Sequence, residues 1–490
     1  MSESLSNASL NLRFSATTVI PWFFAAFCVV VIISVPLCAA QVGAPTPVDK
    51  VAAVLLFPWA LLGAIRAMRA RRAYLALVAA YFGAAVLASV AHMAGRNYGL
   101  YPIEVPALGL VLDAKPFVYV FAFYELLARR TCEADTTLAL VLRVTLAIAL
   151  FNSIFVLRDL LVGGHSIWDI PLGTGAYGLP LANGLFNHKY SSACTTMLGA
   201  LAAMSLLKDR FTGGCLIAFT WLSCILILHG AVKELMGVAA AGVLFVVLPS
   251  NKPSSRTLRT KVAFGLLMSA FALGGSTYIS QTISRRYHDF GLEASVRVAL
   301  HTAAYTIAME HFPGGSGAGT FGSMPSRDMA YSPLYYRFGI FAMYRGGPGD
   351  GKFLMDAWWP HIMAETGFIG CIFYLSALAC GVRALARAQR MKRTSGSFFL
   401  LAVALALVMN SLAAPTFTMD LLQPMVGLTW GASMLTNEKR IARGEELRGQ
   451  SLRRMATIGR QLGRQWASSG HGVHLPFGLP AHGEVSSDQE

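Results

Sequence analysis

The chain has 490 residues, of which 55% are hydrophobic and only 13% charged, and its mean hydropathy is +0.54; ordinary soluble domains carry about 25% charge. That excludes a typical soluble enzyme, and the scattered placement of 46 Gly and 21 Pro excludes a collagen-like or disordered chain. The net charge of +15, from 40 Lys and Arg against 25 Asp and Glu, falls between the apolar runs, so it marks membrane topology and a lipid-proximal tail rather than nucleic-acid binding.

A hydrocarbon core of about 30 Å takes roughly 20 apolar residues per helix. The sequence predicts twelve such runs: Pro21 to Ala40, Val51 to Ile65, Tyr74 to Met93, Val111 to Ala128, Leu138 to Leu157, Ser191 to Leu207, Cys215 to Leu228, Leu235 to Leu248, Val262 to Ile279, Ala357 to Ala379, Phe398 to Ala413 and Met419 to Leu435. The polar start, Met1 to Asn11, lacks the basic cluster of a cleaved signal peptide, so the first run is expected to remain as a span. Every second connection is basic. Arg66, Arg69, Arg71 and Arg72 mark the first cytoplasmic loop, and Arg129 with Arg130, Lys208 with Arg210, the group Lys252 to Lys261 and the group Arg383 to Arg393 mark the next four. The tail adds six more basic residues between Lys439 and Arg454, so both termini are expected in the cytoplasm.

The expected fold is therefore an all-α membrane protein of about twelve transmembrane helices, with one large outer (periplasmic) loop containing short helices. Residues 1–20 are a cytoplasmic N-terminus, 21–279 hold the first nine spans, 280–355 the outer loop, 356–435 the last three spans, and 436–490 a basic, partly disordered tail. The eight Cys lie in spans or beside the cytoplasmic face, which speaks against a disulfide framework. His471, His474 and His482 in the tail are too loosely spaced to suggest a metal site.

The outer loop is where function is expected, because it is long, polar and rich in Gly, Tyr and Arg. Glu293 to Phe312 reads as an amphipathic helix that stacks Arg297, His301 and Tyr305 on one side, with Pro313 ending it. The run from Pro313 to Phe321 (PGGSGAGTF) makes a tight turn whose backbone can approach a ligand; no strand precedes it, so it is not a nucleotide-binding fingerprint. Farther on, Arg337, Arg345 and Lys352 alternate with Tyr331, Tyr335, Tyr336, Phe341 and Tyr344, a mixture suited to sugar rings and phosphate and equally to a loop resting on headgroups. Lys233 and Glu234 occupy a short outer turn, where a lysine either snorkels or binds an anion. Asp356 stands before Trp358, Trp359, Pro360 and His361 as a helix cap, a functional carboxylate, or both.

At these residues the chain resembles the O-antigen ligase and polysaccharide polymerase superfamily of membrane glycosyltransferases. The segment DAWWPHIMAETGFIG (Asp356 to Gly370) resembles that family's signature; GLFNHKYSSA (Gly184 to Ala193), the Lys233-Glu234 turn, and Ser295 through Arg297 to PGGSGAGTF follow in matching order. The resemblance spans Leu138 to Leu435 and implies a polyprenyl-diphosphate-linked glycan as substrate at the outer face of a bacterial inner membrane, with no metal and no cofactor. The sequence carries no Asp-x-Asp pair. By the resemblance, Arg297 and Lys233 hold the donor diphosphate, although arginine is common where Lys233 stands and lysine lacks its planar fork.

Family ligases usually carry His-Asn where this chain has Asp356-Ala357, and repeat-unit polymerases often have Asp there. The expected function is therefore polymerisation of lipid-linked repeat units of an exopolysaccharide, capsule or O-antigen by inverting transfer. Asp356 and Arg297 are the expected catalytic residues, and Lys233, Arg345, Arg337, Tyr336, His301 and His361 the expected substrate-binding residues. His361 is also a substitute base, although it lies about 140° round the helix from Asp356. Two alternatives stay open: an O-antigen ligase acting on a lipid A-core acceptor, and a non-enzymatic transporter. Carriers usually place a long cytoplasmic connection between two halves, whereas here the long connection is external. Membrane lipid, a flippase and polysaccharide export proteins are the further partners this reading implies.

Overall fold

The computed structural model describes residues 48–95, 102–129, 134–163, 182–186, 189–209, 213–248, 296–343, 346–349, 351, 354–355, 357–417, 419, 421–435, 455, 457–458 and 461. The chain divides into two compact units, Met1–Asn437 and Glu438–Glu490. In the second, the few described positions are helical. In the first, the described elements are helices, with no strand among them.

In chain order these are α1 (Val48–Ala70), α2 (Arg72–Gly95), α3 (Glu104–Ala128), α4 (Ala134–Val162), α5 (Lys189–Asp209), α6 (Gly213–Leu228), α7 (Val232–Val247), α8 (Val296–Glu310), α9 (Met324–Asp328), α10 (Pro333–Arg337), α11 (Trp358–Lys392), α12 (Ser395–Ser411) and α13 (423–435). Six helices, α1 to α5 and α11, are long and apolar enough to cross a membrane. Their outward faces carry bare apolar side chains, including Val54 at 71% and Leu55 at 67% exposure, the inverse of a water-soluble surface. These helices mark a membrane protein. The expected spans Pro21 to Ala40 and Val262 to Ile279 lie outside the described residues.

Several helices run past the ends the sequence predicts. Arg66 and Arg69, expected in a loop, lie in the last turns of α1, and one residue, Arg71, separates α1 from α2. Likewise α11 continues beyond Ala379 through Arg383, Arg387 and Arg390 to Lys392. A backbone leaving hydrocarbon keeps its internal hydrogen bonds while long basic side chains reach outward, so charge alone ends a span too early. Arg393 then closes α11 in the left-handed region, and Thr394 caps α12 by accepting from the Ser397 N–H at 3.3 Å.

At this arginine-rich end, buried Glu125 accepts from Arg66 and Arg129, each at 2.7 Å, and Arg71 donates to the Met434 carbonyl at 2.8 Å. The core lies around α5 and α12, where Met197, Leu201, Ala404 and Leu407 are buried. These two helices pack on each other and on α4 and α7, while α11 joins α2, α8 and α12.

Candidate functional site

Two clusters stand apart from this arginine-rich end. The first is assembled from helix starts. Lys189 is the first residue of α5, Lys233 the second of α7 and Arg297 the second of α8. All three cations act electrostatically on the carboxylate of Glu234, which is 1% exposed. Lys233 Nζ lies 4.0 Å from Glu234 Oε1 and 3.6 Å from the centre of the Tyr190 ring. One buried carboxylate is thus within electrostatic reach of three cations, and each cation lies in the first turn of a helix, where the backbone N–H groups and the helix dipole add positive potential. A preorganised excess of positive charge beside a membrane is suited to a phosphate or diphosphate.

His301 stands one turn beyond Arg297. Burial pulls its imidazole below the usual histidine range, while a hydrogen bond to the Leu412 backbone pushes it back up. This contact rests the basic side of α8 on the end of α12. The turn between α6 and α7 holds His229, whose Nε2 lies 3.1 Å from Ser192 Oγ and whose pKa burial pushes down to about 3, with Lys189 adding to the shift.

The second cluster is a buried hydrogen-bond chain. Tyr81 donates to Asp113 Oδ2 at 2.7 Å, and Asp113 Oδ1 lies 2.8 Å from His361 Nε2. His361 Nδ1 lies 3.3 Å from Glu365 Oε1. The Glu365 carboxylate accepts from Gly319 N at 2.7 Å, Phe321 N at 2.9 Å and Ser323 Oγ at 2.7 Å. Ser316 N donates to the Ala364 carbonyl and Gly317 N to the Glu365 carbonyl. The Pro-Gly turn is therefore wound around Glu365. The N–H groups of Ser316, Gly317, Gly319 and Phe321 are spent on α11 and that of Ala318 on Ser89 of α2, so the backbone expected to approach a ligand closely approaches these two helices.

Glycine permits this approach: a side chain at Gly315 would meet the Ala364 and Glu365 backbone, and Gly367, at φ 66°, interrupts α11 against the Gly314 carbonyl.

Asp113, His361 and Glu365 offer ligand atoms within 4.8 Å of one another. Both imidazole nitrogens face different carboxylates and three further donors occupy Glu365, so the three residues form a buried hydrogen-bond chain.

The expected site residues thus separate. Lys233 and Arg297 belong to the first cluster, and His301 stands one helical turn beyond Arg297 against the Leu412 backbone. His361, expected as a substrate contact or substitute base, is 4% exposed and wedged between two carboxylates. Arg337 Nη2 is held at 2.6 Å by Glu310, and Tyr336, 51% exposed, tilts against Phe341 with ring centres 5.1 Å apart. Asp356 and Arg345 lie outside the described residues; Asp356 directly precedes Ala357, the N-cap of α11. In the sequence Lys189 is only one residue of the GLFNHKYSSA segment, and Asp113 carries no local signal because its partner His361 is 248 positions away. No family model matches the chain, and no curated protein matches it either.

Proposed function

We propose that this chain is a glycosyltransferase of the bacterial inner membrane that polymerises polyprenyl-diphosphate-linked oligosaccharide repeat units at the periplasmic face. In this reading it has twelve spans and both termini in the cytoplasm. The observation that supports it most is that Lys189, Lys233 and Arg297, each in the first turn of its helix, all act electrostatically on the buried Glu234.

The donor diphosphate binds these cations. A hydroxyl on the nonreducing sugar of the acceptor attacks the anomeric carbon from the side opposite the diphosphate. One glycosidic bond forms, the anomeric C–O bond breaks, polyprenyl diphosphate leaves with the electron pair, and the hydroxyl proton passes to Asp356. A single displacement inverts the anomeric centre. Fixed cations stabilise the charge growing on the leaving diphosphate, the role a divalent ion plays elsewhere. Exposed Tyr336 and Phe341 offer rings for the faces of the incoming sugars, and Arg337 and Arg345 are the cations assigned to the same glycan.

Lipid-linked intermediates in a deletion strain test this reading. Loss of a polymerase leaves single repeat units on the lipid. Accumulation of long unattached chains would instead identify a ligase, and unchanged intermediates would contradict both.

A further inference from the structure

Between α2 and α11 lies a groove of about 540 Å³ that neither cluster uses. Its floor is made of small side chains on α2, Ala80, Gly83, Ala84 and Ala88, and Phe373 and Ile369 of α11 face them. Leu87 at 71% and Phe312 at 70% exposure flank it, so it opens on the apolar surface of two helices long enough to cross a membrane. One end is closed by Pro313, Gly314 and Gly315, directly before Ser316 and Gly317, whose N–H groups bond to the Ala364 and Glu365 carbonyls of α11. At that same end stand His92 and His311, within electrostatic reach of each other.

An apolar trough open to lipid and finished by two imidazoles matches a hydrocarbon chain with a phosphate head. A floor of Ala and Gly leaves room for a chain that carries methyl branches along its length. His311 lies 14 residues beyond Arg297, a rise of about 21 Å along α8 and the turn after it. A lipid whose diphosphate sits at Arg297 therefore does not place its head at His311. Polymerisation joins two lipid-linked glycans, and the reacting hydroxyl of the acceptor lies at the sugar end farthest from its own lipid, so two separated anchor points suit it.

We propose that this groove seats the isoprenoid chain of the second, acceptor lipid-linked glycan, with its phosphate at His92 and His311. The assignment to the acceptor rests on the function proposed above; the binding of a polyprenyl phosphate does not.

The test uses the full chain in phospholipid nanodiscs and a polyprenyl monophosphate carrying a diazirine in its isoprenoid chain. The expected cross-links map to residues 80–92 and 369–373. Excess unlabelled polyprenyl phosphate removes them, an equal excess of dioleoyl phosphatidic acid does not, and Gly83→Phe lowers the yield at least tenfold. A Cβ at Gly83 meets nothing within 4 Å, so this substitution fills the groove without displacing backbone. Arg297→Ala retains the yield. Cross-links elsewhere, equal competition by phosphatidic acid, or full yield in Gly83→Phe would overturn the proposal. Specific groove cross-links in a protein that makes no polymer would sink the proposed function and leave the polyprenyl site standing; polymer made by Gly83→Phe with unchanged acceptor KM would remove the groove from the reaction.

Discussion

Arg297, Lys233 and Lys189 each bring a positive charge to bear on Glu234. A charge-assisted hydrogen bond is worth about 1.5–3 kcal/mol, so Arg297→Ala is expected to weaken polyprenyl diphosphate binding by roughly 10- to 150-fold, as read by titration in nanodiscs; unchanged affinity would remove Arg297 from the anion site. Glu365 has a different role. Its carboxylate satisfies two N–H groups and a hydroxyl and faces His361, so Glu365→Ala leaves buried donors and a buried imidazole without their anion. Such a break costs about 3–5 kcal/mol, visible as a lower Tm in detergent, and Glu365→Gln, which keeps the shape and one acceptor, falls between. His229 supplies a pH signature. Its pKa in the folded protein, about 3, lies below the ordinary 6.5, so below pH 6.5 the unfolded chain gains a proton that the folded one refuses. Stability is intact above pH 6.5 and falls by about 1.4 kcal/mol per pH unit toward pH 3, or about 2 kcal/mol between pH 7 and pH 5. His229→Gln is expected to lose less Tm than the wild type over that interval; equal losses would contradict the assignment.

Among elements, α11 links the Pro-Gly turn to the bundle, and it does so through its break at Gly367 rather than through a regular helix. Gly367→Ala meets both a left-handed φ of 66° and the Gly314 carbonyl, so it is expected to loosen the turn more than its size suggests. Proteolysis within 313–322 that is faster in the variant would show this, and equal rates would deny it. The same helix shows what a sequence can and cannot tell. Its apolar run was legible from Ala357 to Ala379 because hydropathy is a local property, and α8 was legible from the four-residue spacing of Arg297, His301 and Tyr305. The arginine-bearing extension to Lys392 was not, because charge density marks the water boundary and not the end of a helix. Asp113 with His361 was invisible for another reason: a buried ionic chain assembled from α2, α3 and α11 leaves no spacing to read. The Pro-Gly turn announced close approach correctly in kind but not in partner, since nothing in PGGSGAGTF names the Glu365 that fills it.

For the molecule as a whole, the account requires that the arginine-rich ends of the spans and the cation cluster lie on opposite sides of the membrane. Single cysteines introduced at Tyr305, 54% exposed, and at Arg72 in a background without native thiols are expected to react with a membrane-impermeant maleimide from opposite sides. The central claim is sugar transfer from a lipid diphosphate held by the cation cluster, and the most direct measurement is reconstitution. Purified chain in proteoliposomes, given a polyprenyl-diphosphate-linked repeat unit and no nucleotide sugar, is predicted to release polyprenyl diphosphate and build a ladder of lengthening glycans, while Arg297→Ala and Asp356→Ala, folded by Tm, build none. A ladder of normal length from either variant, or no bond formation by the wild type with its cognate lipid-linked repeat, would contradict it.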